Sequence, residues 1–341
     1  MASCTFCKVD SQKKLKKCVC GKASYCSKEC QAKDWKTHRP SCPQITIRES
    51  PGKGRGLFAT RRIKGGQIIL EEYPLITLSN VGEMSLDEFK ANHYPYIDKE
   101  TKTKILQLND PAENMKKLDT KTAEKLARKD PVMMFWKKSK SEEISKIFRI
   151  FTGNSIKICG EEHLYRDTTE TGLFNKIHLI NHACVPNTTW SWVMGDFQRQ
   201  QVRAMMDIEK DEEILASYYN VPPVLYGSRK FRQQVLLEAG GFLCKCSECS
   251  LEGWDMEDNE RMRAEIREIR EKMEEINQLR SEGLLQRKSV KKAMKLSQQR
   301  VKLLQTLNIR TEFVVKMNRQ RNNLQQISLL ILDSGTSLLV L

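Results

Sequence analysis

The sequence contains no apolar run long enough to cross a bilayer as a helix, so no helical membrane span and no membrane partner are expected. It also lacks a basic start followed by an apolar stretch, so no secretory signal is read at its N-terminus. Without export, disulfides lose their usual setting, and the twelve cysteines point to metal instead. Reduced thiols in a chain with no export signal place it in the cytoplasm and/or nucleus. Near the C-terminus the apolar stretches 327–332 and 338–341 are interrupted by Asp333, Ser334 and Gly335, and read as a short amphipathic end or an unusual terminus.

At 341 residues the chain is long enough for two or three packed units. With 39% hydrophobic and 30% charged residues it reads as globular and soluble rather than disordered. The formal charge of +15 suggests acidic or nucleic-acid partners. The lysine run Lys13, Lys14, Lys16 and Lys17 could touch nucleic acid, but it reads more simply as a solvated face, and no direct nucleic-acid contact is expected.

The first 43 residues hold eight metal-ligand candidates in order: Cys4, Cys7, Cys18, Cys20, Cys26, Cys30, His38 and Cys42. Zinc takes four nitrogen or sulfur ligands in a tetrahedron, so eight of them make two closed structural sites. Close pairs set one edge of each tetrahedron, and the longer gaps let the chain return to complete it. A segment this small has little core of its own, so metal binding would supply much of its folding energy. Beyond Cys42 the pattern shifts to short β-rich runs at 44–48, 56–60 and 67–71, with Gly54-Arg55-Gly56 between the first two. Three segments follow: Asn181-His182-Ala183-Cys184-Val185-Pro186-Asn187, Asp211 to Tyr218 with its Glu212-Glu213 pair, and Phe242-Leu243-Cys244-Lys245-Cys246-Ser247-Glu248-Cys249.

The stretch from Tyr25 to Cys42 resembles the MYND finger, and the three later segments resemble the core and post-SET motifs of SET-domain methyltransferases. Together the first 250 or so residues resemble the SET and MYND (SMYD) family of protein-lysine methyltransferases. The finger precedes the SET start, an order similar to the arthropod-type SmydA branch. The resemblance implies an α+β fold: a β-rich SET domain with a helical insert, an N-terminal double-zinc MYND finger and a C-terminal α-helical region. The expected divisions are 1–43 for the finger, 44–80 for the first SET part and 81–150 for the insert. The SET core follows at 151–235, the post-SET zinc segment at 236–250 and the helical region at 251–341.

By resemblance, Cys4, Cys7, Cys26 and Cys30 hold one zinc, and Cys18, Cys20, His38 and Cys42 a second. Cys244, Cys246 and Cys249 hold a third, with Cys184 as the family's fourth ligand. Cys159 is left over and reads as a small buried hydrophobe. Closing three zinc sites on eleven thiolates lowers the +15 to roughly +10. The resemblance also implies S-adenosylmethionine as methyl donor, contacted by Gly54, Arg55, Gly56, Asn154, Asn181, His182, Tyr218 and Phe242. Tyr218 is the implied catalytic tyrosine. Phe174 and Phe242 could line the lysine channel or flank adenine, or simply pack in the core. Gln31 and Trp35, about one turn apart on a helix, map onto the finger's positions for proline-rich peptides; Trp35 could equally be a packing residue. The implied partner of the active site is a protein carrying the target lysine, a histone or another protein.

Three departures stand out. Cys18-x-Cys20 replaces the usual C-x2-C, and Ala183 replaces a serine. Ala239-Gly240-Gly241 occupies the place of a second channel tyrosine, which would mean a wider channel, a changed methylation state or weak activity. An inert SET scaffold whose finger recruits partners is therefore the alternative function. Toward the C-terminus, Met262, Ile266, Ile269, Met273 and Ile276, then Val290, Met294, Ser297, Val301 and Leu304, follow helical spacing. The break at Ser281-Glu282-Gly283 predicts an antiparallel helix pair. The region looks like a shortened form of the family's longer helical domain.

Overall fold

The structure, a computed structural model, describes residues 3–9, 15–18, 23–38, 42–79, 84–116, 121, 142–158, 170–193, 199–219, 222–307 and 309. Cys20, Cys159 and the stretch 310–341 lie outside the described residues.

The finger has almost nothing aliphatic to bury. Its buried cluster is Cys4, Cys18, Ala23, Tyr25 and Cys42, with Cys30 and Trp35 packed against it. Area burial on that scale cannot offset the ordering of the chain, so the thiols must do more than pack. Strands β1 (Lys16–Lys17) and β2 (Ser24–Tyr25) pair antiparallel ahead of helix α1 (Lys28–His38). The Ser27 hydroxyl accepts the Cys30 N–H at 3.2 Å, starting the helix and fixing Cys26 and Cys30 on either side of its first turn. The Tyr25 hydroxyl donates to Asp34 at 2.7 Å and ties the ribbon to the helix.

Next come β3 (Ile45–Ser50), β4 (Gly54–Ala59), β5 (Ile68–Glu72) and β6 (Ile76–Leu78). The insert supplies α2 (Leu86–Asn92), α3 (Lys99–Leu106), α4 (Pro111–Lys116) and α5 (Glu143–Asn154). Then follow β7 (Ile156–Lys157), β8 (Thr171–Leu173), β9 (Asn181–His182), β10 (Thr188–Val193), β11 (Arg199–Ala204) and β12 (Leu215–Ala216). β3 and β4 form an antiparallel hairpin whose turn needs positive φ at Gly52 (73°) and Gly54 (82°), a region open to glycine. β10, β11 and β5 make one antiparallel sheet, and β6, β8 and β7 another. β9 and β12 pair in parallel, bringing Asn181 opposite Leu215 and His182 opposite Ala216. Alternate residues of these strands, such as Leu57 and Ala59, Val202 and Ala204, Ile214 and Ala216, fill one core.

The insert packs a core of its own. Ser85 and Asp98 cap α2 and α3, accepting from the N–H groups of Glu88 and Thr101. In α5, Ile147, Phe148, Ile150 and Phe151 fall on one face and bury against Phe89 and Ile105. Arg149, on the same helix, is buried with Asp110, donating to both carboxylate oxygens at 2.8 and 2.7 Å.

After β12 come α6 (Pro222–Leu225), α7 (Arg229–Gly240), α8 (Gly253–Ser281) and α9 (Arg287–Thr306). The last two are the antiparallel pair expected from the spacing, with Ile266, Ile269, Ile276, Val290, Val301 and Leu304 buried. Gly283, at φ 71°, ends α8. The pair packs on Leu225, Tyr226 and Val185. Arg263 of α8 is wholly buried and donates to Asn259, the Leu225 carbonyl and Glu248, so the long helix is pinned to the loop between Cys246 and Cys249.

Candidate active site and metal centres

Two sets of four cysteines converge. In Cys4, Cys7, Cys26 and Cys30, and in Cys184, Cys244, Cys246 and Cys249, all ligand atoms lie within 4.8 Å of one another. Cys18, His38 and Cys42 converge likewise, and the fourth expected member of that set, Cys20, is outside the described residues. Sulfur separations of 3.7 Å (Cys7–Cys26), 3.5 Å (Cys26–Cys30), 3.8 Å (Cys18–Cys42) and 3.6 Å (Cys184–Cys249) are telling. A tetrahedron with zinc–sulfur bonds of about 2.3 Å has edges of about 3.8 Å. Protons fit these sulfurs poorly. Contacts with Cys184, Cys244 and Cys249 pull Cys246 far down, while contacts with Cys244, Cys246 and Cys249 push Cys184 far up. A divalent cation lets all four be thiolates at once, so the residues fit zinc. Four thiolates around one zinc leave a double negative charge, and buried Arg232 answers it, donating to the Cys249 sulfur at 3.8 Å.

This last cluster is wired to Tyr218. The Tyr218 N–H donates to His182 Nδ1 at 3.1 Å, which places the imidazole proton on Nε2, 3.5 Å from the Cys184 sulfur. Burial holds His182 down to about 4, so the ring is neutral at physiological pH. Sequence analysis set His182 among the cofactor contacts; in the fold both ring nitrogens are engaged inside the protein, bracing Tyr218 against the metal cluster. The Tyr218 hydroxyl donates to the Ile180 carbonyl at 2.9 Å, and its ring lies edge-on to His182 and Phe242 at 5.2 and 6.1 Å between centroids. The side chain is 39% exposed, but its hydroxyl is turned inward against Ile180; desolvation there, then Glu213 and Tyr219, push the phenol above its usual range.

The glycines before Phe242 have local reasons. Gly241, at φ 69°, is the left-handed cap of α7. A Cβ on Gly240 would meet the Phe242 ring at 2.8 Å, so this position is small because the aromatic ring lies over it. Phe174, the other aromatic considered for the channel, is wholly buried in the sheet core.

On the opposite side, the Asn181 amide donates to the Arg55 carbonyl at 3.1 Å and to Glu213 at 2.7 Å, and Lys53 pairs with the same carboxylate at 3.1 Å. Gly56 leaves room for this contact: a Cβ there would sit 2.6 Å from Glu213 Oε1 and 2.9 Å from Asn181 Nδ2 and would push the pair aside. The Asn187 side chain bonds the Glu213 carbonyl and the Leu215 N–H at 2.8 Å each, fastening the ends of the two motifs together. The Arg55 guanidinium turns to the insert, reaching Gln107 O and Asn109 Oδ1. Asn154, at the end of α5, donates to the Asn109 and Ile150 carbonyls at 2.8 Å each. Spacing gave no sign of Asn109, Asp110, Arg232 or Arg263, and Glu213 could have been singled out only as a carboxylate within its motif.

His178 lies on the turn Ile177–Leu179, which Glu72 caps by accepting the N–H groups of Asn175, Lys176 and Ile177. Both its nitrogens are shielded from solvent. The backbone of Phe174 and Asn175 approaches the ring, yet neither nitrogen makes a hydrogen bond of good geometry. Burial, with the Arg55 charge adding to it, lowers its pKa from 6.5 to about 4. Stability from keeping this ring neutral is complete above pH 6.5 and is lost as pH falls toward 4. Urea unfolding of wild type and His178→Asn across that window should show the wild type losing stability more steeply; parallel curves would exclude His178 as a source of acid sensitivity.

In the finger, Gln31 and Trp35 are both half-buried on α1. The Trp35 ring packs edge-on to His38, and Arg61 lies over it with its guanidinium carbon 5.5 Å from the ring centre. Arg61 also donates to the Cys42 carbonyl and Thr60 to the Pro43 carbonyl, so the finger is seated on the end of β4.

Residues 54–219 match the SET domain family model, and residues 4–42 match the MYND finger. The histone-lysine N-methyltransferase ASHR1 of Arabidopsis thaliana is 29% identical over 240 residues, covering 69% of this chain and 44% of that protein. Human N-lysine methyltransferase SMYD2 is 26% identical over 272 residues, covering 78% of this chain and 53% of that protein. Histone-lysine N-methyltransferase set5 of Schizosaccharomyces pombe is 41% identical over 86 residues, a quarter of each chain. The chain thus spans about half or less of the length of these relatives. Both family models match in the order the cysteines and motifs suggested: a MYND finger at residues 4–42 precedes a SET domain at 54–219, and the chain is similar to the SMYD proteins.

Proposed function

We propose that this protein is an S-adenosylmethionine-dependent protein-lysine N-methyltransferase that acts on a histone or another protein. The observation that carries the reading is the Asn181 amide, held between the Arg55 carbonyl and Glu213. Through it the glycine-rich strand, the Asn-His segment and the Glu-Glu segment meet at one point, close in sequence to Tyr218 on the adjoining β12 segment. The relatives' names, all lysine methyltransferases, support the same chemistry.

The residues fit the cofactor on one further observation: the buried, unpartnered nitrogens of His178 lie near Arg55, where a ligand rich in polar groups would give them partners. Gly54, Arg55 and Gly56, Asn154, Asn181, the backbone at His182, Tyr218 and Phe242 are the groups that would hold it. When bound, the cofactor supplies an electrophilic sulfonium methyl. The chain's own contribution is position and electrostatics. Tyr218 stays a phenol at neutral pH; its one proton is donated to the Ile180 carbonyl, so its hydroxyl oxygen is the group left to accept from the lysine amine, and it does not act as a base. Where Tyr218 and Phe242 exclude water, the lost solvation favours the neutral form of an entering lysine amine, the form with a lone pair to give.

Zinc at the three clusters would hold the finger and the Tyr218 brace in place. The finger, a protein-interaction fold, would recruit proline-rich segments at Gln31 and Trp35. An inert scaffold was the alternative, resting on Gly240 and Gly241; both glycines have packing reasons that are independent of activity. No helix among the described residues is long and apolar enough to cross a membrane, and a cytoplasmic or nuclear setting suits the reading.

Calorimetric titration of the zinc-loaded chain with S-adenosylhomocysteine tests the proposal. Wild type should bind, and Asn181→Ala should bind at least about tenfold more weakly, since it leaves Glu213 and the Arg55 carbonyl without their shared donor. A fully metallated, folded wild type that does not bind would end the enzyme reading.

A further inference from the structure

The side chain of Arg55 does not turn toward Asn181, although its carbonyl does. Its guanidinium donates to the Gln107 carbonyl at 3.1 Å and to Asn109 Oδ1 at 2.9 Å, 52 and 54 residues further along the chain. The Asn109 carbonyl in turn accepts the Asn154 amide at 2.8 Å. One insert residue therefore touches two of the groups assigned to the cofactor: Arg55 with its side chain and Asn154 with its backbone. The neighbouring residue holds it still. Asp110 accepts two hydrogen bonds from buried Arg149 and a third from the Ala112 N–H at 3.0 Å. Burial would raise the Asp110 pKa, but these bonds outweigh it and hold the carboxylate below its usual range.

We infer that Asn109 is a positioning residue: it fixes the Arg55 guanidinium, and through it the start of β4, in the arrangement that the methyl-donor site requires. The inference rests on the methyltransferase reading for its consequence, though not for its geometry. Arg55 is the strap between the insert and the glycine-rich strand. Its two ends are a carbonyl engaged by Asn181 and a guanidinium engaged by Asn109, so slack at one end is felt at the other. A hydrogen bond from a guanidinium is among the stronger neutral-acceptor contacts, and Asn109 supplies an acceptor that the Gln107 carbonyl alone does not replace.

Two variants of the zinc-loaded chain separate this role from mere packing. Asn109→Ala removes the acceptor, whereas Asn109→Asp keeps one and adds a charge that suits Arg55. Asn109→Ala should bind S-adenosylhomocysteine about tenfold more weakly, and the segment 53–58 should exchange its amide hydrogens faster in ligand-free protein. Asn109→Asp should restore both, and the urea midpoints of all three proteins should agree. Unchanged exchange and binding in Asn109→Ala would overturn the inference, as would an Asn109→Asp as defective as the alanine form. If wild type binds no S-adenosylhomocysteine but exchange at 53–58 still responds and is rescued, the cofactor reading fails and the positioning role stands.

Discussion

Tyr218→Phe should leave the fold and the affinity for S-adenosylhomocysteine close to wild type, and should slow methyl transfer by about a hundredfold or more. The fold survives because most of what Tyr218 does does not involve its hydroxyl. The bond to His182 Nδ1 comes from the backbone N–H, and the ring contacts with His182 and Phe242 need only an aromatic ring. The hydroxyl's bond to the Ile180 carbonyl is lost, at a cost of about 1 kcal/mol. What disappears is a hydroxyl oxygen, its own proton tied to Ile180, that would accept from the lysine amine and orient its nitrogen. Single-turnover transfer of a radiolabelled methyl group to bulk histones measures it. A variant as fast as wild type would show the hydroxyl to be a structural tie to Ile180 and remove Tyr218 from the catalytic role.

Cys246→Ser has the larger effect on stability. Zinc content is expected to fall from three to two per chain, and the midpoint of thermal unfolding should drop by on the order of 10 °C. The cause reaches beyond one lost bond. The Cys246 sulfur also accepts the Cys184 N–H at 3.4 Å, Arg232 is buried beside the cluster as its counter-charge, and Arg263 holds Glu248 between two of the ligands. Without the metal, two buried guanidinium groups and a set of mutually hydrogen-bonded thiols have no arrangement that satisfies them all. His182 also loses a fixed thiolate partner, so amide exchange at Tyr218 should quicken along with that at 242–249. Cys7→Ser is the control: it opens a finger site and should also release one zinc, but leaves exchange at Tyr218 unchanged. Three zincs retained by Cys246→Ser, or equal exchange at Tyr218 in the two variants, would refute this account.

The parts of the molecule legible in the sequence are those in which spacing itself carries the chemistry. Pairs such as Cys4 and Cys7, or Cys244 and Cys246, are close because the chain between them is too short to separate them. The helix pair is legible because Ile266, Ile269 and Val301 repeat with the period of a turn. Resemblance added Cys184 and Asn181, whose partners lie tens of residues away. What remained hidden were contacts set by how the units dock. That Arg55 turns to Asn109, that Asp110 is buried with Arg149, and that Arg263 reaches Glu248 depend on where the insert and the long helix settle, and no local pattern announces it. Gly240 and Gly241 are instructive in another way. Read as letters, they are a missing tyrosine; in the fold, one is a helix cap and the other is the space that Phe242 fills.

The third cluster joins Cys184 to Cys249 across 65 residues, and this separation bears on the order in which a new chain becomes itself. The first finger set is complete once Cys30 has been added and the second once Cys42 has, so both can take up metal while most of the chain is still unmade. Cys184 waits. At 5–20 residues per second, roughly 3–13 s of synthesis separate it from Cys249. Until Cys244, Cys246 and Cys249 are made its set is incomplete, and the brace behind Tyr218 does not exist. A nascent chain can therefore complete its finger well before the brace behind Tyr218, and an oxidant that reaches the ribosome finds in Cys184 a target that the finished protein hides.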